Sequence, residues 1–237
     1  MTSSLASLPL IADELDLLGE LVPLANQDIV ELGCGDARLA RALLDRHPDS
    51  RVTGLEVDER QHAKNLAAPR PGLRFVAAGA QAVPFPDASF DLALMLKSLH
   101  HVPMALMAQA LCEVARVLRP GGHLYVSEPV YGGAFNDVVR LFNDEGVVRA
   151  AAQGTLDQAL QSGVWTSVSD RRFETPVHFR DFDDFEQRLM RATYADHRFD
   201  DAKLAEVRAA FERHLGADGA RFARPMQVRL LRAVSPA

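Results

Sequence analysis

The chain has 237 residues, of which 48% are hydrophobic and 24% are charged, and its formal net charge is −6. These values indicate a globular protein that can bury a sizeable core, and the length predicts a single domain over residues 1–237. The acidic balance excludes broad binding to a nucleic-acid backbone, because such binding requires a basic surface.

The sequence carries no targeting or metal-binding pattern. No apolar run approaches the ~20 residues that cross a bilayer, and the N-terminus lacks the positively charged region of a secretory signal. The two cysteines, Cys34 and Cys112, have no partner at the spacing of a metal site. We therefore expect a cytoplasmic protein without a membrane span, a disulfide framework or a bound metal. The sequence does not specify whether the chain forms a homo-oligomer.

Periodicity predicts alternating helices and strands in the first half of the chain. Residues 1–24 contain an amphipathic helix over Leu10–Leu24, which we expect to cover a sheet edge or to close over a ligand. Residues 25–130 contain five apolar runs that are separated by helical or turn-like stretches. The predicted strands are Ile29–Leu32, Arg51–Val57, Leu73–Ala77, Phe90–Leu96 and His123–Glu128. The predicted helices are Asp36–Arg46, Asp58–Ala68 and Met104–Leu118.

The pattern changes after residue 130. We expect residues 131–222 to form a helical insertion or lid, with residues 131–170 mainly helical and further helices at 182–189 and 201–215. The sixth strand is either Arg172–Phe179, which alternates in hydrophobicity, or a short run near Tyr194–Phe199. Residues 223–237 contain a closing strand, predicted over Met226–Val234.

This order of elements predicts the fold class. Alternation of strands and helices over 130 residues indicates right-handed βαβ units and a mainly parallel sheet. We predict an α/β fold: a doubly wound, Rossmann-like sheet of seven mostly parallel strands with helices on both faces and the lid inserted after strand five. In such sheets, ligands bind in the crevice beyond the carboxyl ends of the strands.

A glycine-containing loop follows the first predicted strand, over Asp28-Ile-Val-Glu-Leu-Gly-Cys-Gly-Asp-Ala-Arg-Leu-Ala40. Gly33 and Gly35 allow a sharp turn and a close approach of the backbone to a ligand. A dinucleotide fingerprint requires a third glycine, at the position of Arg38, for close packing of the helix on the strand. The sequence therefore argues against a dinucleotide-dependent oxidoreductase.

Two acidic residues flank this loop in the predicted fold. Glu31 precedes the glycines, where a carboxylate would repel a diphosphate but can hold the amino group of a ligand, directly or through water. Glu56, 25 residues further on, ends the second predicted strand and can accept hydrogen bonds from ribose hydroxyls. This pair suits an adenosyl group that carries an α-amino acid.

The chain resembles class I S-adenosylmethionine-dependent methyltransferases of the small-molecule type, which includes quinone-biosynthesis methyltransferases. The resemblance covers roughly residues 25–130 and is specific in the order and spacing of its motifs. The matching segments are Glu31-Leu-Gly-Cys-Gly-Asp-Ala37, Val52-Thr-Gly-Leu-Glu56, Val83-Pro-Phe-Pro-Asp-Ala-Ser-Phe-Asp91, Leu99-His-His-Val102 and Leu118-Arg-Pro-Gly-Gly122.

The resemblance implies that the cofactor is S-adenosylmethionine and that its product is S-adenosylhomocysteine. This sequence departs from the family pattern at Gly79, where family members usually have an aspartate that bonds the adenine amino group. That bond is therefore either missing or supplied by a neighbour such as Gln81. The cofactor-binding residues expected on this basis are Glu31, Gly33, Cys34, Gly35, Arg38, Glu56, Val57, Gly79, Ala80, Gln81, Leu96 and Lys97.

Candidate residues for catalysis lie after the fourth predicted strand. His100 and His101 sit beside the crevice, where either imidazole could act as a general base or could have a structural role. Candidate substrate-binding residues come from the later part of the chain. These are Tyr131, Asn136, Trp165 and Tyr194.

Two functions remain open from sequence. The first is a methyltransferase that modifies an O, N or C atom of a small molecule. The second is a catalytically inactive or regulatory binding protein with the same fold, for which Gly79 is the main argument. The identity of the methyl acceptor is not encoded in the cofactor motifs, because the fold fixes only the cofactor half of the site.

Overall fold

The computed structural model describes residues 8–191 and 199–234. The helices in these residues are α1 (Glu14–Leu21), α2 (Arg38–Arg46), α3 (Glu59–Leu66), α4 (Met107–Val117), α5 (Gly133–Val139), α6 (Gly146–Gln161), α7 (Phe182–Phe185) and α8 (Asp201–Glu212). The strands are β1 (Asp28–Leu32), β2 (Arg51–Glu56), β3 (Leu73–Ala77), β4 (Phe90–Leu96), β5 (Leu118–Pro129), β6 (Trp165–Phe179), β7 (Leu215–Gly216) and β8 (Gly219–Ala233). Short 3-10 turns at Leu99–His101 and Met104–Leu106, and a π-helical turn at Glu186–Met190, complete the regular structure of this part of the chain.

The strands form one sheet in the order β3-β2-β1-β4-β5-β8-β6, and the two-residue β7 pairs with β8 in an antiparallel hairpin. β1 is parallel to both β2 and β4, β2 is parallel to β3, and β4 is parallel to β5. The chain order therefore reverses between β1 and β4, which is where ligands bind in doubly wound sheets. The predicted α/β fold is confirmed, with seven strands on the main path of the sheet.

The chain groups into two compact units. The larger consists of Asp13–Glu128, Val148–Arg171 and residues 227–234. The smaller consists of residues 8–12, Pro129–Val147 and the described part of Arg172–Met226. The boundary after Glu128 lies close to residue 130, the predicted end of the cofactor-binding half.

The core of the larger unit lies on the parallel strands. Because these strands are covered on both faces, they appear in sequence as nearly continuous apolar runs. Full burial of each large side chain stabilises the fold by roughly 1.5–3 kcal/mol. Members of this core are Val30, Leu32, Leu55, Ala93, Met95, Leu111, Val114, Leu124, Trp165 and Leu231.

The smaller unit has a separate core built mainly from phenylalanine. The rings of Phe185 and Phe211 have centroids 4.8 Å apart, and Phe179 meets Phe185 edge-on at 5.1 Å. The aromatic members of the cluster are Phe135, Phe179, Phe182, Phe185, Phe211 and Phe222. The region predicted as a helical insertion thus has a core of its own.

The N-terminal helix and the late strands differ from the sequence prediction. The helix starts at Glu14, after the Asp13 carboxylate caps it by accepting from the Leu15 N–H. Ile11 lies outside the helix and donates its N–H to the carbonyl of Glu174. β6 includes the predicted Arg172–Phe179 but begins at Trp165, inside a stretch predicted to be helical. Most of β6 faces solvent, and its polar residues hide the alternation that identifies a strand.

Two other strands begin earlier than predicted. β8 starts at Gly219 rather than near residue 226. β5 starts at Leu118, which pairs with Phe90 before the register shifts and Leu92 meets His123. The predicted turn at residues 119–122 is the site of this shift, and Gly121 there has φ +79°. In the part of the chain that the structure describes, no helix is long and apolar enough to cross a membrane.

Candidate active site

The glycine loop after β1 is held against β2 by its backbone. The N–H groups of Gly33 and Cys34 both donate to the Leu55 carbonyl at 2.9 Å. Gly33 has φ +71°, and a Cβ at this position would come within 2.8 Å of the Ser98 Cβ. A side chain at Gly33 would therefore combine a left-handed backbone with a collision. At Gly33 and Gly35 the loop therefore presents backbone beyond the carboxyl end of β1.

Glu56 ties the same loop to the end of β2. One carboxylate oxygen accepts from the Gly35 N–H at 2.8 Å, and the other accepts from Val57 and Asp58, each at 2.9 Å. The side chain is buried, with 8% of the residue exposed. The carboxylate is consequently fixed in position beside the loop, which is the arrangement a ribose-binding acid requires.

Asn65, on the buried face of α3, is part of this arrangement but was not identified from sequence. Its side-chain N–H donates to the Gly35 carbonyl at 2.7 Å, and its own oxygen accepts from Gln61 at 2.9 Å. The sequence signal is weak, because an asparagine on a helix is ordinarily exposed and only its burial shows that it holds the loop.

Cys34 packs inside the loop rather than facing a redox partner. A Cβ on Gly54 would lie 2.8 Å from the Cys34 sulfur, so the small strand residue makes room for the thiol. Burial, together with the nearby charges of Glu31 and Glu56, raises the pKa of the Cys34 thiol. The thiol stays protonated at neutral pH and is a poor nucleophile.

Glu31, near the end of β1, is the most unusual group beside the loop. It is 4% exposed, and its Oε2 atom has no hydrogen-bond partner among the described residues. Burial raises the pKa of Glu31 to about 8, with the positive charge of Lys97 acting in the opposite direction. A buried carboxylate with an unused oxygen is costly unless a cation meets it. Its chemistry therefore fits the amino group of an amino-acid-bearing adenosyl ligand.

The segment after β4 is tied to two neighbouring strands. Lys97, directly after Leu96, has φ +56°, and its N–H donates to the Ser127 carbonyl at 2.7 Å. The Ser98 hydroxyl donates to the Leu32 carbonyl at 2.7 Å. The ammonium of Lys97 points to Glu14, at 3.8 Å. The backbone of this segment is therefore fixed next to the glycine loop.

The structure separates the roles of the two histidines. His100 is buried, and its Nδ1 forms a short hydrogen bond with the Glu128 carboxylate, which also accepts from the Leu99 N–H at 2.9 Å. His101 is exposed, and its ring centroid lies 4.1 Å from that of His100. Sequence alone gave no reason to prefer either residue, because Glu128 lies 28 residues away from His100 in the chain.

Most of the remaining predicted cofactor residues lie after the ends of β2 and β3, whereas the Arg38 side chain points into solvent. Val57 is 67% exposed just after β2. Gly79, Ala80 and Gln81 form a turn after β3, closed by a 3.2 Å bond from the Ala82 N–H to the Gly79 carbonyl. The Arg38 side chain is 88% exposed and pairs with Asp36 at 3.3 Å.

The predicted substrate-binding residues have different surroundings in the structure. Tyr131, in the smaller unit, donates its hydroxyl to Asp144 at 2.9 Å, and Asn136 is buried in α5 of the same unit. Trp165 is 2% exposed and packs in the core of the larger unit, so we leave it out of the proposed site. Tyr194 lies outside the described residues.

Sequence comparison identifies the region that carries these groups. Residues 30–126 match a family model described as "Methyltransferase domain". A 27-O-demethylrifamycin SV methyltransferase from Amycolatopsis mediterranei is 35% identical over 119 residues, which cover 48% of this chain and 43% of that protein. A fatty-acid O-methyltransferase from Mycolicibacterium smegmatis is 37% identical over 107 residues, covering 42% of this chain and 36% of that protein. The similarity thus spans less than half of these two relatives.

Solved structures show the same fold over nearly the whole chain. The YcgJ protein from Bacillus subtilis aligns with a TM-score of 0.65 and 15% identity, over 94% of this chain and 98% of that one. The cyclase SpnF aligns with a TM-score of 0.63 and 22% identity, over 93% of this chain and 80% of that one. At these identities the comparison establishes the fold alone. Residues 30–126 are thus similar to a methyltransferase domain, and the chain has the fold of these solved structures.

Proposed function

We propose that the chain binds S-adenosylmethionine and transfers its methyl group to a small molecule, leaving S-adenosylhomocysteine. The observation that carries this proposal is the buried Glu31 carboxylate, whose Oε2 atom has no hydrogen-bond partner in the described part of the chain, beside a glycine loop that Glu56 holds in place. The relatives' names support small-molecule acceptors, since they name 27-O-demethylrifamycin SV and a fatty acid.

In this proposal each group of the loop meets one part of the cofactor. The backbone at Gly33 and Gly35 lies along the methionine portion, and Glu31 holds its amino group. Glu56 accepts from the ribose hydroxyls. Leu96 and Lys97 contribute backbone near the sulfonium, because the Lys97 ammonium carries the same charge and is directed to Glu14.

The chemistry requires positioning more than functional groups. Methyl transfer is an in-line displacement in which a lone pair of the acceptor attacks the methyl carbon while the carbon–sulfur bond electrons return to sulfur. Holding the two reactants in line supplies effective molarities of ~10⁵ M or more. The backbone ties from the segment after β4 to Leu32 and Ser127 give the rigidity that this positioning needs.

An acceptor hydroxyl would also need to lose its proton, and the pair of His100 and Glu128 suits that step. The bond between the Glu128 carboxylate and Nδ1 of His100 fixes the orientation of the imidazole, as general-base catalysis requires. We therefore propose His100 as the general base for oxygen acceptors and Glu128 as the residue that orients it. His101 is the alternative, favoured by its exposure.

A second function is a binding or cyclising protein that keeps the fold without methyl transfer. Gly79 offers no side chain to the cofactor base, and the cyclase SpnF shares this fold. Fold likeness alone does not decide the chemistry of a site. Methyl transfer and cofactor binding must therefore be measured separately.

Titration calorimetry with S-adenosylmethionine and S-adenosylhomocysteine tests the cofactor part of the proposal. We expect saturable binding of both, weakened at least tenfold in Glu56→Ala and unchanged in Glu206→Ala, a control on the exposed face of α8. Circular dichroism establishes whether Glu56→Ala is folded, and Glu56→Gln keeps an acceptor at the site if it is not. The absence of saturable binding of either ligand would exclude the methyltransferase assignment.

Methyl transfer itself is measured with labelled cofactor against hydroxyl, carboxylic-acid and amine acceptors. With a hydroxyl acceptor, His100→Ala should lower turnover by about 10²–10⁴-fold, as loss of a general base does. Cofactor binding without transfer to any acceptor would favour the second function.

A further inference from the structure

A cavity lies at the amino ends of the parallel strands, within the larger unit. The first residues of four strands line it: Asp28 of β1, Arg51 of β2, Leu73 of β3 and Phe90 of β4. Its volume is about 630 Å³, which is within the range of small-molecule sites. The glycine loop follows the carboxyl end of β1, so the cavity lies at the opposite edge of the sheet from the proposed cofactor site. The proposed methyl transfer does not use it.

Arg74 places a guanidinium group of fixed orientation in the wall of this cavity. Its Nε atom donates to the Thr53 hydroxyl at 2.8 Å, and its guanidinium carbon lies 4.6 Å from the centre of the Phe85 ring. In the part of the chain that the structure describes, its two Nη atoms have no hydrogen-bond or ion-pair partner. Two parallel N–H donors of a guanidinium group match two oxygens of a carboxylate or a phosphate. Arg74 is thus positioned for an anion before any ligand binds.

Arg51 adds a second guanidinium group on the same face of the sheet. Thr53 pairs with Arg74 in the register of β2 and β3, and Arg51 lies two residues before Thr53, so both arginines project from one face. The Nε atom of Arg51 donates to Asp28 at 2.7 Å, and its Nη atoms have no partner among the described residues. Arg119 bonds the other oxygen of Asp28, at 2.9 Å.

The cavity carries an excess of positive charge in a chain whose net charge is −6. Its lining includes three arginines, Arg51, Arg74 and Arg119, and one carboxylate, Asp28. Asp91 also pairs with Arg119, at 2.6 Å. The two carboxylates pair with Arg51 and Arg119, and Arg74 has no counter-ion among residues 8–191 and 199–234. An anionic ligand would supply the missing negative charge.

The cavity also has an apolar wall. Phe85 and Phe90 meet edge to face, with ring centroids 5.2 Å apart, and Leu73 and Pro86 also line the cavity. An inorganic ion would leave this apolar surface in contact with water, whereas an apolar group attached to the anion would bury it. The lining therefore favours an organic anion over a free inorganic one.

We propose that this cavity binds a small organic phosphate monoester. The guanidinium groups of Arg51 and Arg74 hold the phosphate oxygens, and the apolar body of the ligand packs against Phe85 and Phe90. A phosphate monoester has three terminal oxygens that two guanidinium groups can share, whereas one guanidinium group already satisfies the two oxygens of a carboxylate. The site is independent of the proposed function, because the two ligands would bind at opposite edges of the sheet.

Calorimetry with the whole chain tests this site, with phenyl phosphate as the probe. We expect saturable binding of phenyl phosphate, at least tenfold weaker binding of benzoate and of inorganic phosphate, and no binding of phenol. Benzoate offers fewer oxygens and less charge, inorganic phosphate lacks the apolar body, and phenol lacks the anion. Low ionic strength limits the screening of the exposed arginines by salt.

Variants of Arg74 test which group holds the phosphate. Arg74→Met keeps an unbranched stem over Phe85 and should weaken phenyl phosphate binding at least tenfold, as the loss of charge-assisted hydrogen bonds does. Arg74→Lys keeps the charge without the two parallel donors and should weaken binding by about 3- to 10-fold. Arg60→Met, on the exposed surface of α3, is the matched control and should bind as the unaltered chain does. Circular dichroism establishes whether each variant is folded.

Amide chemical shifts locate the bound probe. Phenyl phosphate should perturb the amides of residues 72–75 and 85–90 and leave those of residues 33–35 unchanged. Saturating S-adenosylhomocysteine should not displace it. Perturbation confined to residues 33–35, or displacement by S-adenosylhomocysteine, would mean that the phosphate occupies the cofactor crevice and would overturn the proposed site.

Two further results would contradict the site and leave the proposed function standing. The first is no saturable binding of phenyl phosphate, or equal affinity in the unaltered chain and in both Arg74 variants. The second is binding of inorganic phosphate as tight as that of phenyl phosphate, which would overturn the assignment of an organic ligand.

Discussion

Glu31 illustrates a residue whose position is predictable and whose electrostatic state is not. Its place before the glycines predicted a carboxylate at the ligand loop. The sequence could not show that Oε2 lacks a partner, or that burial is deep enough to raise the pKa to about 8, because both depend on groups packed around it from other segments. Burial thus raises the pKa of a carboxyl group at the place where the ligand is expected to bind.

This raised pKa predicts a pH dependence of stability. The pKa of Glu31 in the folded chain, about 8, lies above the ordinary glutamate value of 4.5. The stabilisation of the folded chain by neutral Glu31 is therefore complete below about pH 4.5 and is lost as the pH rises through 8. Glu31→Gln should therefore match the unaltered, ligand-free chain at pH 4.5. At pH 9 the free energy of unfolding of Glu31→Gln should exceed that of the unaltered chain by a few kcal/mol, as an order of magnitude.

Denaturant unfolding at pH 4.5, 7 and 9 measures this difference. Glu20→Gln, an exposed change on α1, is the matched control and should show no such trend. A constant difference between Glu31→Gln and the unaltered chain at all three pH values would show that Glu31 is not held neutral by burial.

Among the elements, buried parallel strands were predicted best. β1 to β4 were located within about one residue at each end, because apolar runs bounded by glycine, proline or charged residues are unambiguous. β6 was not, since most of its residues face solvent and it reads as polar sequence. His100 and His101 were predicted as site candidates because they directly follow β4 in the sequence. The sequence could not predict which of the two is buried, because the burial of His100 depends on Glu128 from β5.

The turn between β3 and β4 depends on one arginine of α4. Arg116 donates to the carbonyls of Val83 and Phe85 at 3.0 and 2.8 Å, and it also pairs with Asp87 and Glu113. Arg116→Met keeps the aliphatic stem but leaves these acceptors without their donor. We expect a loss of about 1–3 kcal/mol in the free energy of unfolding.

Hydrogen exchange locates the effect of Arg116→Met. Amides of residues 82–89 should exchange faster, whereas those of β1 and β2 should change only as much as global stability does. Arg60→Met, on the exposed surface of α3, serves as the control. Unchanged exchange in residues 82–89 would mean that the turn is held by other contacts.

At the scale of the whole molecule, the sequence predicts the strands around the glycine loop well and the elements of the smaller unit poorly. The groups proposed to hold the cofactor lie on one stretch of sequence with recognisable spacing, from Glu31 to Lys97. The smaller unit is assembled from separate segments of the chain, and its aromatic core has no motif that sequence reasoning could identify. Tyr131 and Asn136 therefore remain proposals for acceptor binding.

The two separate cores make a prediction about how the molecule unfolds. Phe211 belongs to the aromatic cluster of the smaller unit, where it contacts Phe179, Phe182, Phe185 and Phe222, and it is absent from the core of the larger unit. Phe211→Ala should cost about 3–5 kcal/mol in the stability of the smaller unit. Hydrogen exchange should accelerate in α7, α8 and residues 219–226, while β1, β2 and β4 keep their protection.

Phe90→Ala, in the core of the larger unit, provides the reciprocal variant and should accelerate exchange in β1 and β4. Every group proposed to hold the cofactor lies in the larger unit. S-adenosylhomocysteine binding should therefore be unchanged in Phe211→Ala and weakened in Phe90→Ala. Equal acceleration across both units in Phe211→Ala would show instead that the chain unfolds as one cooperative body. Cofactor binding and stability of the smaller unit would then have to be coupled, and acceptor binding by that unit could not be altered without weakening the cofactor site.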